Sequence, residues 1–355
     1  MTLKFDFNIL ERFFKVNPTF PSLLLNTFVK ALVTGGTGFV GSHLVDVLLQ
    51  KNYFVRCLIR KSSDTKWLKG KPIEFVYGDL FDENALREAV SGVEYIYHAA
   101  GVTKAKTPEE YYKGNATGTK NILEAAIKHN PALKRFVHVS SGAAVGPSAS
   151  KTPITEEAPA RPLTTYGKSK WKSEEECLRV MDKLPITIVR PPAVYGPRDK
   201  DIFEFFSTMS RGLQPMVGFK EKYVSLIHVG DLVRGFVLAG ESAKTTGQTY
   251  FITSKEIYGW KEIGEVTRKV MNRSALRLRI PEAGIYVIAV FAEFFSMFSP
   301  KPALINLEKA RDMVQDYWTF DHTKAKRDFG YEQQLSLEEG IRTTVEWYKK
   351  EGWLK

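Results

Sequence analysis

The stretch Thr34-Gly35-Gly36-Thr37-Gly38-Phe39-Val40-Gly41 constrains this chain more than any other. An apolar run, Phe28–Val33, leads into it, and an amphipathic run, Ser42–Leu49, leads out. That order is strand, glycine turn, helix. Residues without a Cβ turn tightly and let the backbone approach a bound group closely. The helix that follows aims its unbonded N–H groups and the positive end of its dipole at the same place. A pyrophosphate satisfies both features, and the flanking strand and helix turn a weak glycine spacing into a dinucleotide site. Gly35, Thr37, Gly38, Phe39, Val40 and Gly41 are therefore expected to hold the phosphates.

The next strands sharpen this. Tyr53–Ile59 ends at Ile59-Arg60 rather than at the Asp or Glu that binds the adenosine ribose of NAD. A guanidinium pairs with a 2′-phosphate and stacks on adenine, so Arg60 favours NADP over NAD; a solvated loop residue is the plain alternative. Ile73–Tyr77 ends in Gly78-Asp79-Leu80, which places Asp79 and Leu80 at the adenine. Asp79 is equally suited to cap a helix beginning near Asp82. Val93–His98 closes on Ala99, Ala100 and Gly101, small enough for the backbone to pass close to the cofactor, while His98 reads as a packed strand end. A helix is expected across Glu109–His129, carrying Asn115 among apolar neighbours. A buried Asn needs partners, so it is either a structural tether or a member of a proton relay. Arg135–Ser141 is the fifth strand, Pro147–Pro162 a loop over the sheet's carboxyl edge, Tyr166–Met181 a helix and Ile186–Arg190 the sixth strand. Alternating strands and helices predict an α/β fold with a doubly wound parallel sheet, and such sheets bind ligands beyond their strands' carboxyl ends.

After Pro197 the alternation loosens into a smaller, mixed α/β lobe suited to holding a substrate. Strands are expected at Tyr223–Ile227 and Gln248–Thr253, and helices at Ile202–Arg211, Asp231–Ala239, Trp260–Met271, Glu282–Phe298, Ala303–Met313, Thr323–Asp328 and Ser336–Glu351. The apolar run Gly284–Phe298 is shorter than the ~20 residues a membrane span needs. A buried helix is the first expectation; a helix facing lipid, or lining an entry for an apolar substrate, is the second. Net charge is +11, but the charges are scattered rather than gathered in a block, which argues against nucleic acid and leaves contact with a membrane surface open. Cys57 and Cys177 have no CxxC partner, so neither a disulfide framework nor a metal site is expected, and a reducing, cytoplasmic setting follows. Residues 1–27 mix charged with many apolar side chains; they lack the pattern of a signal peptide and suit either packing on the body or touching a membrane.

The chemistry is expected at Tyr166 and Lys170, four apart and so on one face of a helix. A neighbouring ammonium should favour the phenolate and bring the tyrosine below its usual pKa of about 10, making an acid/base for an alcohol or carbonyl. Ser141, at the end of strand five, is placed to hydrogen-bond the same substrate oxygen. Lys168 points elsewhere.

Together these residues resemble the extended short-chain dehydrogenases/reductases. Thr34–Gly41 matches the TGxxGxxG of that family, Tyr166–Lys170 its YxxxK, Ser141 its catalytic serine and Arg190–Pro197 its RPxxVYGP-like segment; Asn115 matches its proton-relaying Asn. The resemblance covers Val29 to Trp353. It implies a catalytic set of Ser141, Tyr166, Lys170 and Asn115, with Tyr166, Lys170, Pro191 and Val194 also touching the cofactor. It divides the chain into an extension (1–27), an NAD(P)-binding Rossmann-type domain (28–197) and a mainly substrate-binding lobe (198–355) with segments returning to the first domain. Homodimers formed through the two long helices are implied by analogy. Arg60, the apolar run near residue 290, Phe320–Tyr331 and Ser336–Gly340 resemble the dihydroflavonol reductase and 3β-hydroxysteroid dehydrogenase branch, which implies hydride transfer on an apolar or ring-bearing small molecule. Sugar-nucleotide epimerases share much of this ending; Arg211, Lys220, Lys222 or Arg273 would then grip a diphosphate. Gly142, following Ser141, argues against dehydratase chemistry.

Overall fold

The structure is a computed structural model that describes residues 29–296, 298 and 306–354; the expectations for residues 1–27 lie outside them. The strands are β1 (Lys30–Thr34), β2 (Phe54–Ile59), β3 (Ile73–Tyr77), β4 (Tyr95–His98), β5 (Arg135–Val139), β6 (Ile186–Arg190), β7 (Ala193–Tyr195), β8 (Leu213–Val217), β9 (Tyr223–Val224), β10 (Leu226–His228), β11 (Gln248–Phe251), β12 (Tyr258–Gly259), β13 (Leu276–Ile280) and β14 (Tyr317–Trp318). The helices are α1 (Phe39–Gln50), α2 (Glu83–Val90), α3 (Pro108–Tyr112), α4 (Gly118–His129), α5 (Thr165–Arg179), α6 (Phe203–Ser210), α7 (Val229–Glu241), α8 (Trp260–Met271), α9 (Glu282–Ser296), α10 (Leu307–Met313), α11 (Thr323–Phe329) and α12 (Leu337–Lys350).

Seven strands form one parallel sheet in the order β11-β6-β5-β4-β1-β2-β3. Each overlaps a run read as a strand from the sequence. Side chains alternate across it: Ala31 and Val33 of β1 join one core with Leu44, Val45 and Leu48 of α1 and Phe236 of α7, while Leu32 joins the other with Leu86, Ile122 and Cys177. The two-residue period of a strand puts successive side chains on opposite faces, so both faces need a helical layer. The strand order reverses about β1, between β4 and β2, and that opens the crevice in which such sheets bind ligands.

A smaller core gathers Phe206 and Met209 of α6, Ile263 of α8 and Ile341, Val345 and Tyr348 of α12. The parallel pair β8–β13 was not anticipated. Its Leu-Arg-Leu-Arg-Ile alternation, exposed along four of five residues, lacks the apolar run that marks a buried strand. Two further expectations are corrected. The helix across Glu109–His129 is interrupted by a π-helical turn at Lys113–Thr117, because Asn115 there is drawn out to bond the Val102 peptide. The helix over Gly284–Phe298 is not buried: of α9 only Ile285 and Ala289 are, since the helix meets the body along one narrow stripe.

Candidate active site

Gly35 has φ +74°, and a Cβ on it would stand 2.7 Å from Ala100 N. A Cβ on Gly41 would stand 2.1 Å from the Gly35 carbonyl oxygen. The turn closes through Gly38 N–H donating to Gly35 O at 3.0 Å. Gly38 then caps α1 with no side chain bonded to the helix's first N–H groups. Thr37, Phe39 and Val40 complete the rim, partly exposed. A tight turn, small neighbours and an uncapped helix N-terminus fit a dinucleotide's pyrophosphate.

The turn faces the end of β4. Ala99 N donates to Thr34 O and Ala100 N to Thr34 Oγ1. His98 is buried, shares hydrogen bonds with Thr34 Oγ1 (2.7 Å) and Thr119 Oγ1 (3.0 Å), and is held by burial at a pKa of about 3. It is the packed strand end expected. Arg60 follows β2 with its side chain exposed and no ion pair among the described residues. Asp79 does not cap α2. Asp82 does, accepting from Asn84 N and Ala85 N, while Asp79 accepts from Phe81 N at 2.8 Å and stays exposed beside Leu80.

On the other side of the crevice, Ser141 caps a short 3-10 turn over Gly142–Ala144. α5 lies close on that turn: a Cβ on Gly167 would be 2.4 Å from Ala143 O. This approach sets Tyr166 beside Ser141. Pro191 reaches the same turn, its carbonyl accepting from Gly142 N at 2.7 Å, and Val194 pairs with Ile227 in the β7–β10 pair. Lys170 is buried and donates to Val139 O at 2.7 Å. Burial, resisted by Glu174, lowers its ammonium to about 8. Beneath it Glu174 and Arg190 form a buried bidentate ion pair (3.0 and 2.7 Å) that ties α5 to β6; removing one partner of such a pair costs about 3–5 kcal/mol.

The expected downward shift of Tyr166 is corrected. Burial raises it, the Ser141 hydroxyl acts in the opposite direction, and the Asp312 carboxylate adds to the rise. The ammonium of Lys170, four residues on, donates instead to the Val139 carbonyl. Asn115 is a tether. Its Oδ1 accepts from Val102 N (2.7 Å), and its Nδ2 donates to Val102 O (2.9 Å) and Ser169 Oγ (2.8 Å). Ser169 Oγ in turn donates to Tyr166 O at 2.7 Å. Gly101 belongs to this cluster, since a Cβ there would lie 2.9 Å from Asn115 Oδ1 and 3.9 Å from Lys170 Nζ.

Three neighbours of Tyr166 escaped the sequence reading. The Tyr111 ring lies 6.3 Å away. Glu308 on α10 accepts a hydrogen bond from Thr165 N. Asp312, four residues on, has a buried Oδ1 without a partner among the described residues, and burial raises its carboxyl to about 6. The i,i+4 spacing of the two carboxylates was the available signal, but nothing local says that α10 reaches α5. Of the cations offered for a diphosphate, Lys222 is buried and bonded to Asp316 (3.0 Å) and Glu282 (3.2 Å). Arg273 lies by Ser210, Met271 and Lys349. Among the described residues no His, Cys, Asp and Glu cluster is placed to hold a metal.

The profile of the NAD dependent epimerase/dehydratase family matches residues 31–253. The ceramide reductase of Caulobacter vibrioides is 31% identical over 322 residues, covering 91% of this chain and 95% of that protein. A 3 beta-hydroxysteroid dehydrogenase/Delta 5-->4-isomerase of Mycobacterium tuberculosis is 28% identical over 340 residues, covering 90% of each. The UDP-glucose 4-epimerase structure from Thermotoga maritima superimposes with a TM-score of 0.74 at 25% identity, over 91% of this chain and 99% of that one. Glycine turn, parallel sheet and matched profile lead to one conclusion: the chain belongs to the NAD dependent epimerase/dehydratase family.

Proposed function

We propose that the protein is an NADP-dependent reductase that transfers a hydride between nicotinamide and the carbon of a ketone or secondary alcohol on an apolar body. The observation that carries this is the convergence of Ser141, Tyr166 and Lys170 at the carboxyl edge of the sheet, opposite the glycine turn. The relatives' names, a ceramide reductase and a hydroxysteroid dehydrogenase, support an apolar substrate. Gly35–Gly41 would hold the pyrophosphate and Arg60 the 2′-phosphate; the nicotinamide, when bound, supplies the hydride. In reduction, Tyr166 Oη gives its proton to the substrate oxygen and Ser141 Oγ hydrogen-bonds that oxygen. The raised pKa of Tyr166 keeps the proton available at neutral pH. Lys170, bonded to the Val139 carbonyl in the free protein, would turn from that carbonyl to steady the phenolate left behind, and Asn115 fixes the Tyr166 turn through Ser169. The epimerase alternative has the fold of the Thermotoga enzyme in its favour, but the internal pairing of Lys222 removes one cation from its diphosphate grip. NADPH absorbance followed with long-chain and ring ketones, and separately with UDP-sugars, tests the reading. Consumption is expected with the ketones; sugar inversion without consumption would overturn it.

Arg60→Asp is expected to weaken NADP and strengthen NAD, because a carboxylate repels the 2′-phosphate and accepts from the free ribose. Titration with both cofactors checks this, and an unchanged ratio would remove Arg60 from the site. The reductive kcat/KM is expected to fall as pH rises past about 8, where Lys170 loses its proton. Lys170→Arg should move that fall upward, and an unmoved profile would assign it to another group. Over the interval from about 8 to 10.5 the unfolded chain keeps the Lys170 proton and the folded one does not, so this group's contribution to stability rises with pH there. The buried free cysteines Cys57 and Cys177 support a reducing, cytoplasmic setting. Exposed Tyr112, at the end of α3, and Leu178, near the end of α5, support a homodimer formed through these helices, for which sedimentation should give twice 40.2 kDa.

A further inference from the structure

We infer that α9 is a lipid-docking face: its outward side lies on an anionic membrane surface and brings the Tyr166 cleft to a substrate held in the bilayer. Val287, Val290, Phe291, Phe294, Phe295 and Phe298 are all exposed, Phe295 to 67% and Phe298 to 79%. The spacing of three and four residues from Val287 to Phe295 makes one continuous stripe along the helix, and Phe298 lies just past its end. Scattered exposed apolar residues are ordinary, but a contiguous patch of this kind marks an interaction surface.

The stripe itself carries no charge: Glu293 is bonded to the next helix, accepting from Leu307 N at 3.1 Å, and Glu282, half exposed at the helix's first turn, is paired with Lys222 at 3.2 Å. The margin is basic. The Arg279 guanidinium donates to the carbonyls of Gly218 and Phe219, which leaves its charge uncompensated, beside an exposed Phe219. Lys220 is 82% exposed, with Asp316 4.0 Å away. This margin joins the helix directly, since Val217 of β8 and Ile280 of β13 pack on Ile285 and Ala289 of α9. An apolar stripe edged with cations complements the interface of an anionic bilayer. At 1.5 Å per residue, α9 is about 22 Å long, less than the ~30 Å hydrocarbon core, so it lies in the plane of the surface. No helix among the described residues is long and apolar enough to cross a membrane.

The face is coupled to the site. α9 packs on α10 through Ala289 and Ala310, and α10 carries Glu308, bonded to the residue before Tyr166, and Asp312, whose charge bears on Tyr166 itself. Delivery of substrate rests on the reductase reading; docking does not.

The test uses the full chain and the double variant Phe291→Gln/Phe295→Gln, both positions being exposed. Flotation is measured with vesicles of phosphatidylethanolamine and phosphatidylglycerol and with phosphatidylcholine alone. The native chain should float with the anionic vesicles, less with the neutral ones, and the variant should bind the anionic vesicles at least tenfold more weakly. Turnover of a short, water-soluble ketone should be equal in the two proteins, while turnover of a long-chain ketone embedded in vesicles should fall in the variant. Failure of the native chain to float, or equal flotation of the variant, would overturn the docking face; the second result would assign binding elsewhere, as to residues 1–28. A fall in oligomer mass in the variant with flotation unchanged would identify the stripe as a contact between copies and would equally overturn it. Flotation as expected with no ketone turned over by either protein would contradict the reductase reading alone.

Discussion

Tyr166→Phe is expected to lower turnover roughly 10²- to 10⁴-fold, the range of general acid–base catalysis, with dinucleotide affinity nearly unchanged. The substitution removes one oxygen and keeps the ring, so the contact with Tyr111 at 6.3 Å and the close approach of α5 to the Ser141 turn both survive. Only the proposed proton donor is lost. Steady-state turnover beside a fluorescence titration of cofactor separates the two effects. Equal losses of turnover and affinity would mean that the hydroxyl serves binding rather than proton transfer.

The second large effect is expected from Gly41→Ala. The added Cβ would stand 2.1 Å from the Gly35 carbonyl oxygen and 2.7 Å from its carbon, both backbone atoms that cannot swing aside. The turn must open, and the Gly38 N–H bond to Gly35 O opens with it. Overpacking of this kind costs about 1–3 kcal/mol. Because the displaced backbone is the one proposed to meet the pyrophosphate, the cost should appear as a roughly 10- to 100-fold weaker cofactor affinity, since about 1.4 kcal/mol is a factor of ten. Isothermal titration, with a thermal melt of the apo protein as control for folding, measures it. Unchanged affinity would remove the dinucleotide from this turn.

The two predictions draw on different depths of the sequence. The strand–turn–helix at Gly35–Gly41 was legible because its physics is local: three consecutive elements and a few missing Cβ atoms. The parallel sheet was legible for a related reason, since Ala31, Leu32 and Val33 must each find an apolar layer on alternating sides. The Tyr166–Lys170 spacing was equally visible, but its electrostatics were not. Whether the phenol is raised or lowered depends first on its burial, then on the Ser141 hydroxyl and on Asp312, nearly 150 positions away. The same holds for α9. Apolar composition alone predicts burial, and only the packing of Ile285 and Ala289, with the rest left outside, turns that run into a surface. The lobe beyond Pro197 was least legible because its contacts, such as Ser148 with Thr319 and Thr165 with Glu308, join distant segments without a local pattern.

The central claim is net hydride transfer from nicotinamide to a substrate carbon, with Tyr166 supplying the proton. It is tested most directly with NADPH carrying deuterium at the transferring position of the ring, a long-chain or ring ketone, and mass analysis of the product. Deuterium on the new carbinol carbon, one equivalent of oxidised cofactor per product and loss of both in Tyr166→Phe are the predicted result. A UDP-sugar inverted with oxidised cofactor, which is returned oxidised after each turnover, together with no label passing from NADPH to any ketone, would contradict it.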